Sequence, residues 1–270
     1  MDLRLATQVT ALAGVATLLS SCISDGTSRA VEDPSRPVVG IHDLELAEGV
    51  TPEQFEAFIA GPFAEFWSTP RGGLSIGIGK CDRGESLGRY QLAFFFDSKA
   101  VRDGYFPAED GQPTELWEEE MEPVVGPVMD ELFELCESTA FTDYVVLSAT
   151  RPEDPSVPAT FGIHRLELND GVTAEDFEAF ATGAHAAAWG QPIAGCGQGI
   201  MVGERGENVG QYRIVYGFRP HTLRDRYIPD GGLSEEFRTQ VQPLMPAEVG
   251  EEFRSLCRSV GFSDWAPILP

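Results

Sequence analysis

The stretch GIHDLELAEGVTPEQFEAF at 40–58 returns as GIHRLELNDGVTAEDFEAF at 162–180, 122 residues later. A chain that repeats itself at a fixed offset is built from copies of one structural unit, so a fold proposed for one half must serve both. The correspondence extends well beyond this opening. Trp67 matches Trp189, Pro70 matches Pro192, and Arg83-Gly84-Glu85 matches Arg205-Gly206-Glu207. Tyr90 matches Tyr212, and Arg102-Asp103-x-Tyr105 matches Arg224-Asp225-x-Tyr227. At an offset of 121, Leu135-Cys136, Phe141 and Asp143 match Leu256-Cys257, Phe262 and Asp264. The pattern reads as a tandem duplication, with repeats at 37–149 and 161–270 joined by a Pro- and Ser-rich linker at 150–160.

Each copy has readable periods. Gly40–Leu46 alternates, with Ile41, Asp43 and Glu45 on one face and His42, Leu44 and Leu46 on the other, which predicts a strand. Thr51-Pro52-Glu53-Gln54 supplies an N-cap, a Pro at the first helical position and Gln at N3. Phe55, Phe58, Ile59, Phe66 and Trp67 then follow at helical spacing. Leu74–Cys81 and Arg89–Phe96 predict two strands around DRGESLG. A helix over Val128–Cys136 and a last strand over Tyr144–Leu147 complete the copy. The order β-α-β-β-α-β is the split βαβ arrangement of ferredoxin-like folds.

That order, and the opening in which a His-bearing strand runs into a GV(S/T)-x-E-x-(F/L) helix start, resembles the stress-responsive barrel domains of the dimeric α/β-barrel superfamily, to which antibiotic-biosynthesis monooxygenases also belong. The resemblance implies an α+β fold in which two tandem ferredoxin-like domains form a barrel within one chain. It implies a cavity between the repeats, and a monomer with pseudo-twofold symmetry. A four-stranded sheet with helices on one face leaves the other bare, and covering it against an equivalent sheet removes apolar area from water. A linked partner is present at an effective concentration on the order of mM.

Composition narrows the partners. The formal net charge is −24, so nucleic acid is not expected as a partner, and a membrane is met only through an N-terminal lipid. The only lysines are Lys80 and Lys99. An acidic, lysine-poor surface suits high salt or a GC-rich coding sequence. Residues 5–19, LATQVTALAGVATLL, form a mostly apolar run too short for a comfortable membrane span. The Leu-Ser-Ser-Cys that follows resembles the lipobox of bacterial lipoproteins. This implies a signal peptide over 1–22, lipidation at Cys22, a flexible tether over 23–36, and an exported protein held in the cell envelope on the periplasmic or outer-membrane side.

The candidate site residues recur in pairs. His42 and His164 sit on an apolar strand face, where they serve either as acid–base groups or as hydrogen-bonded core residues. Glu45 and Glu167 are catalytic candidates if their face lines the barrel and ordinary surface charges if it meets solvent. Tyr90 and Tyr212, and Arg102 and Arg224, are ligand-binding candidates. The alternative role for the tyrosines is packing, and for the arginines it is anchoring the long connections 97–123 and 219–243. His185 falls where the first copy has Phe63. No His/carboxylate spacing recurs in both halves, so no metal is expected, and no phosphate- or dinucleotide-binding fingerprint suggests a cofactor. Export permits a Cys81–Cys136 disulfide, with buried thiols as the alternative. The functions compatible with this pattern are a lipoprotein binding a small, partly apolar ligand in the barrel, a cofactor-independent monooxygenase or cyclase, and an envelope scaffold.

Overall fold

The computed structural model describes residues 31–268, apart from 108–111, 152–153, 155–156 and 230–231. The predicted signal peptide with Cys22, the first part of the tether and part of the linker lie outside the described residues. Residues 31–36, expected within the tether, are tied to the first half: the amide of Lys99 donates to the Arg36 carbonyl at 2.6 Å, and Arg36 Nη1 donates to the Leu147 carbonyl at 2.7 Å.

Eight strands close into one antiparallel barrel. They are β1 (Val38–Leu46), β2 (Leu74–Gly84), β3 (Tyr90–Phe96), β4 (Cys136–Ala149), β5 (Thr160–Leu168), β6 (Cys196–Gly206), β7 (Tyr212–Phe218) and β8 (Cys257–Pro267). Around the ring the order is β1-β3-β2-β8-β5-β7-β6-β4. The first four strands are contiguous as β4-β1-β3-β2 and the last four as β8-β5-β7-β6. Closure therefore runs edge to edge, through β2–β8 and β4–β6, and leaves no strand edge open. Gly84 and Gly206 terminate β2 and β6 at these seams with φ of +94° and +89°. A Cβ on either would strike the carbonyl oxygen of Phe262 or Phe141 at 2.2 Å, so only glycine fits.

The helices pack outside the barrel. In the first half α1 (Pro52–Phe58) continues through a π-helical turn, Ile59–Phe63, into Ala64–Phe66. The expected capping box is present: Gln54 N donates to Thr51 Oγ1 and Thr51 N donates to Gln54 Oε1. After α2 (Lys99–Tyr105), a π-helical turn, Trp117–Met121, runs directly into α3 (Glu122–Leu135). The second half follows the same order with α4 (Ala174–Phe180, continued by Ala181–His185 and Ala186–Ala188), α5 (Leu223–Tyr227) and α6 (Ala247–Leu256). Phe55 and Phe177, both wholly buried, press against Tyr90 and Tyr212 with ring centroids 4.7 Å apart in each half. Among the described residues no helix is long and apolar enough to cross a membrane.

Three expectations are corrected. The last strand of the first half runs from Cys136 to Ala149 rather than from Tyr144 to Leu147, so Cys136 begins a strand instead of ending a helix. Cys81 lies on β2, separated from Cys136 on β4 by β3 and β1, roughly three strand spacings or ~14 Å. That gap is too wide for a disulfide, and Cys81, Cys136, Cys196 and Cys257 are all buried free thiols. The third correction concerns the space between the halves. The barrel interior beside the β4–β6 seam is filled by Ile41, Tyr144 and Met201, with Val39, Ala93 and Val215 against them. Arg213 lies over the Tyr144 ring at 4.4 Å, and the remaining space there is about 20 Å³, room for about one water.

Candidate functional site

The two halves differ most where sheet meets helix on the outside of the barrel. In the first half this layer is solid. Phe63, Ile76, Leu92, Met129 and Leu132 are each 8% exposed or less, and α3 buries five residues. The matching positions of the second half are His185, Gln198, Ile214, Gly250 and Phe253. Two apolar side chains have become polar and one has vanished. The backbone changes with them. Between the matched Pro123-to-Cys136 and Pro243-to-Cys257 segments, the second half carries one extra residue. Its helix breaks at Met245 and Pro246, both extended (ψ 135° and 110°), and restarts as α6. A proline disfavours the helical conformation of the residue before it, which suits the break at Met245. No residue of α6 is buried.

The result is a cleft of about 130 Å³ between β6 and β7 on one side and α4 and α6 on the other. Its walls are mostly apolar, including Trp189, Ile214, Tyr216, Val249 and Phe253, with Met245 and Pro246 at the helix break. His185 and Gln198 supply the polar floor. His185 is 1% exposed, and burial pushes its imidazole down to about 4, so it is neutral at physiological pH. Its Nε2 lies 3.2 Å from Gln198 Oε1, which can only accept, so Nε2 carries the proton. Nδ1, 2.9 Å from Ser148 Oγ, then accepts from that hydroxyl. Ser148 belongs to β4 of the first half, so the floor is braced across the seam. With its carbonyl oxygen engaged, Gln198 keeps its amide N–H groups as donors on the cleft wall. Burial pushes the Tyr216 hydroxyl up to about 12, so it is a neutral phenol. Arg254 stands exposed at the rim, its Nη1 3.5 Å from where a Cβ on Gly250 would sit.

The residues singled out from sequence lie elsewhere. His42 and His164 occupy matched outward-facing positions. Each holds a serine hydroxyl through Nδ1 at 3.0 Å, Ser138 and Ser259 respectively. Each also stacks on a phenylalanine, Phe141 or Phe262, at 5.6 Å. Burial pushes His42 down to about 4 and lowers His164 as well. Only His164 approaches the cleft, through ring contact with Tyr216 at 5.3 Å. Glu45 and Glu167 are exposed at the strand ends, and Glu167 pairs with Arg258 at 2.7 Å. Tyr90 and Tyr212 are buried and donate to Glu56 Oε1 at 2.6 Å and Glu178 Oε1 at 2.7 Å.

Arg102 and Arg224 hold the seams. Arg102, 1% exposed, reaches Asp103, Asp143 on β4 and Glu204 on β6. Arg224 reaches Asp225, Asp264 on β8 and Asp82 on β2. Each arginine thus grips a strand from both halves, and Arg205–Asp103 and Arg83–Asp225 add a second bridge to each seam. Tyr105 and Tyr227 pin the same segments by donating to the carbonyls of Gly72 and Ala194.

The pocket residues were visible in the sequence only as departures between the two halves. His185 for Phe63 was one such signal, but Gln198 for Ile76 and Gly250 for Met129 carry as much, and the three cluster only once the fold is known.

No protein-family model matches the sequence, and no curated protein matches it. Solved structures do. A putative monooxygenase from Lactobacillus acidophilus NCFM aligns over 87% of this chain and 97% of its own, at 13% identity and a TM-score of 0.52. An anthrone oxidase-like protein aligns over 87% and 92%, at 14% identity and a TM-score of 0.45. A putative chlorite dismutase aligns over 86% and 95%, at 9% identity and a TM-score of 0.40. At these identities the likeness speaks to fold alone. The chain therefore has a mixed α+β fold with a closed eight-stranded antiparallel barrel, consistent with a ferredoxin-like arrangement.

Proposed function

We propose that the protein binds one small, partly apolar molecule per chain, in the cleft of its second half. The observation that carries this reading is the asymmetry between matched positions. The first half fills its sheet–helix layer with Phe63, Ile76 and Met129, and the second half leaves about 130 Å³ open over His185, Gln198 and Gly250. Leaving the apolar walls of an open cleft of that size in water costs about 25 cal/mol per Å² of surface. The first half avoids that cost with ordinary apolar side chains, so an occupant is the economical account of the second. The test is titration of the protein with single-ring aromatics, followed by Trp189 fluorescence and calorimetry. Binding at one equivalent, lost in Gly250→Met, is the expected result. Absence of any binding contradicts the reading.

The likeness to a putative monooxygenase raises an enzymatic alternative, but among the described residues the cleft lining offers no free base. His185 is neutral and both its nitrogens are engaged. Binding therefore accounts for the arrangement better than acid–base turnover.

The same reading places the protein in the cell envelope, anchored by lipid at Cys22, and derives its halves from a tandem duplication. The lipobox-like Leu19-Ser20-Ser21-Cys22 supports the first, and the matched register of β1 with β3 and β5 with β7 supports the second. Changing Cys22 to Ser releases the protein from membranes on this account. Continued membrane attachment contradicts it.

A further inference from the structure

We infer that the occupant of the second-half cleft is a single-ring aromatic acid, its ring against Trp189, Tyr216 and Phe253 and its carboxylate at Arg254. The inference rests on the ligand-binding reading above and narrows it by size, shape and charge.

Size comes first. A cleft of about 130 Å³ is close to the ~150 Å³ apolar cavity known to admit benzene, and far below the several hundred Å³ of ordinary ligand sites. One six-membered ring fills it. Shape agrees, because three aromatic side chains line the space and flat rings pack well by offset or edge contact.

Charge sets the substituent. The chain carries a net charge of −24, so an anion is repelled almost everywhere on its surface. At the mouth of the cleft stands Arg254, which forms no ion pair among the described residues, although Glu251 and Glu252 neighbour it on α6. Its guanidinium lies across Gly250, the position where the first half inserts Met129. The missing side chain thus both opens the cleft and leaves a planar fork of donors over its entrance, a geometry suited to a carboxylate. Inside, the Gln198 amide N–H groups and the Tyr216 hydroxyl can meet one further acceptor on the ring, so a hydroxy-substituted acid is accommodated.

The test compares benzoate, benzyl alcohol and acetate by calorimetry at fixed ionic strength, on the unaltered protein and on Arg254→Met, Arg254→Lys and Gly250→Met. Benzoate is expected to bind at one equivalent, at least tenfold more tightly than benzyl alcohol, and acetate not measurably. Arg254→Met should weaken benzoate at least tenfold and leave benzyl alcohol unchanged, with Arg254→Lys in between. Gly250→Met should abolish binding of both ring compounds. If benzyl alcohol binds as tightly as benzoate, or Arg254→Met leaves benzoate unaffected, the acid is the wrong class while the cleft stands as a binding site. Benzoate binding that persists in Gly250→Met places the anion elsewhere and overturns the inference. If neither ring compound binds, the ligand-binding reading fails along with it.

Discussion

Replacing Gly250 with Met rebuilds in the second half what the first half has at Met129, and the structure predicts a gain in stability at the expense of the cleft. Two effects add. Gly inside a helix is about 0.8–1.0 kcal/mol worse than Ala, and Met is close to Ala, so the backbone change is worth about 1 kcal/mol. Position 250 lies within α6. An added Cβ there meets only Arg254 Nη1, at 3.5 Å, an ordinary contact that leaves room for the side chain. Complete burial of a Met side chain contributes about 1.5–3 kcal/mol, and half-burial in an open cleft about 1 kcal/mol. The sum is about 2 kcal/mol, equivalent to a rise in Tm of roughly 4–8 °C for a domain of this size. Urea unfolding monitored by tryptophan fluorescence, with the midpoint and slope compared between proteins, measures it. An unchanged or lower midpoint refutes the reasoning, because it means that the space above Gln198 is not vacant or that α6 cannot carry a longer side chain there.

Other perturbations have defined outcomes. Arg102→Ala strands Asp143 at the β4–β6 seam and leaves Glu204 with Lys99 alone, and removing one partner of a buried pair costs about 3–5 kcal/mol. Chemical denaturation should register a loss of that order, whereas Arg258→Ala, at an exposed pair with Glu167, should change stability by less than about 1 kcal/mol. His42 and His185 are held neutral down to about 4 in the folded state, whereas in the unfolded chain they protonate near 6.5. The unfolded state therefore takes up protons first, and stability falls as pH drops from about 6.5 to about 4, by up to ~3 kcal/mol per histidine. His185→Gln should flatten its share of that slope in pH-dependent unfolding; an unchanged slope contradicts the neutral assignment. The four buried thiols, Cys81, Cys136, Cys196 and Cys257, should resist a thiol reagent in the native protein and all react on denaturation. Fewer than four reactive thiols among these positions in the denatured, unreduced protein contradicts the free state.

Much of the fold was legible because local chemistry and global arrangement agree. The Thr51 and Thr173 caps, the alternation of β1 and β5, and the hairpin turns at DRGESLG and ERGENVG each carry their own signal. What the pattern could not give was the length of the seam strands. β2 extends to Gly84 because β8 of the opposite half pairs with it there, and β4 begins at Cys136 because the far end of β1, up to Leu46, supplies its partners. The run CESTAFTD has no strong strand alternation of its own, and its pairing is non-local. The site was less legible. Arg102 and Arg224 stood out as a repeated motif, yet repetition marked the shared scaffold, since both clamp seams that the two halves have in common. The cleft lies where the two halves disagree. Gly250 for Met129 is an unremarkable change until the topology sets it above Gln198 and beside His185.

The central claim is that a single sheet–helix layer is open and that it belongs to the second half. The most direct measurement is anomalous scattering from a crystal soaked with iodobenzene, whose heavy atom reports its own position. One iodine peak per chain, between β7 and α6 within contact distance of Trp189 or Phe253, is the predicted result. Peaks inside the barrel beside Tyr144, or a matched pair of peaks in both halves, contradict the account.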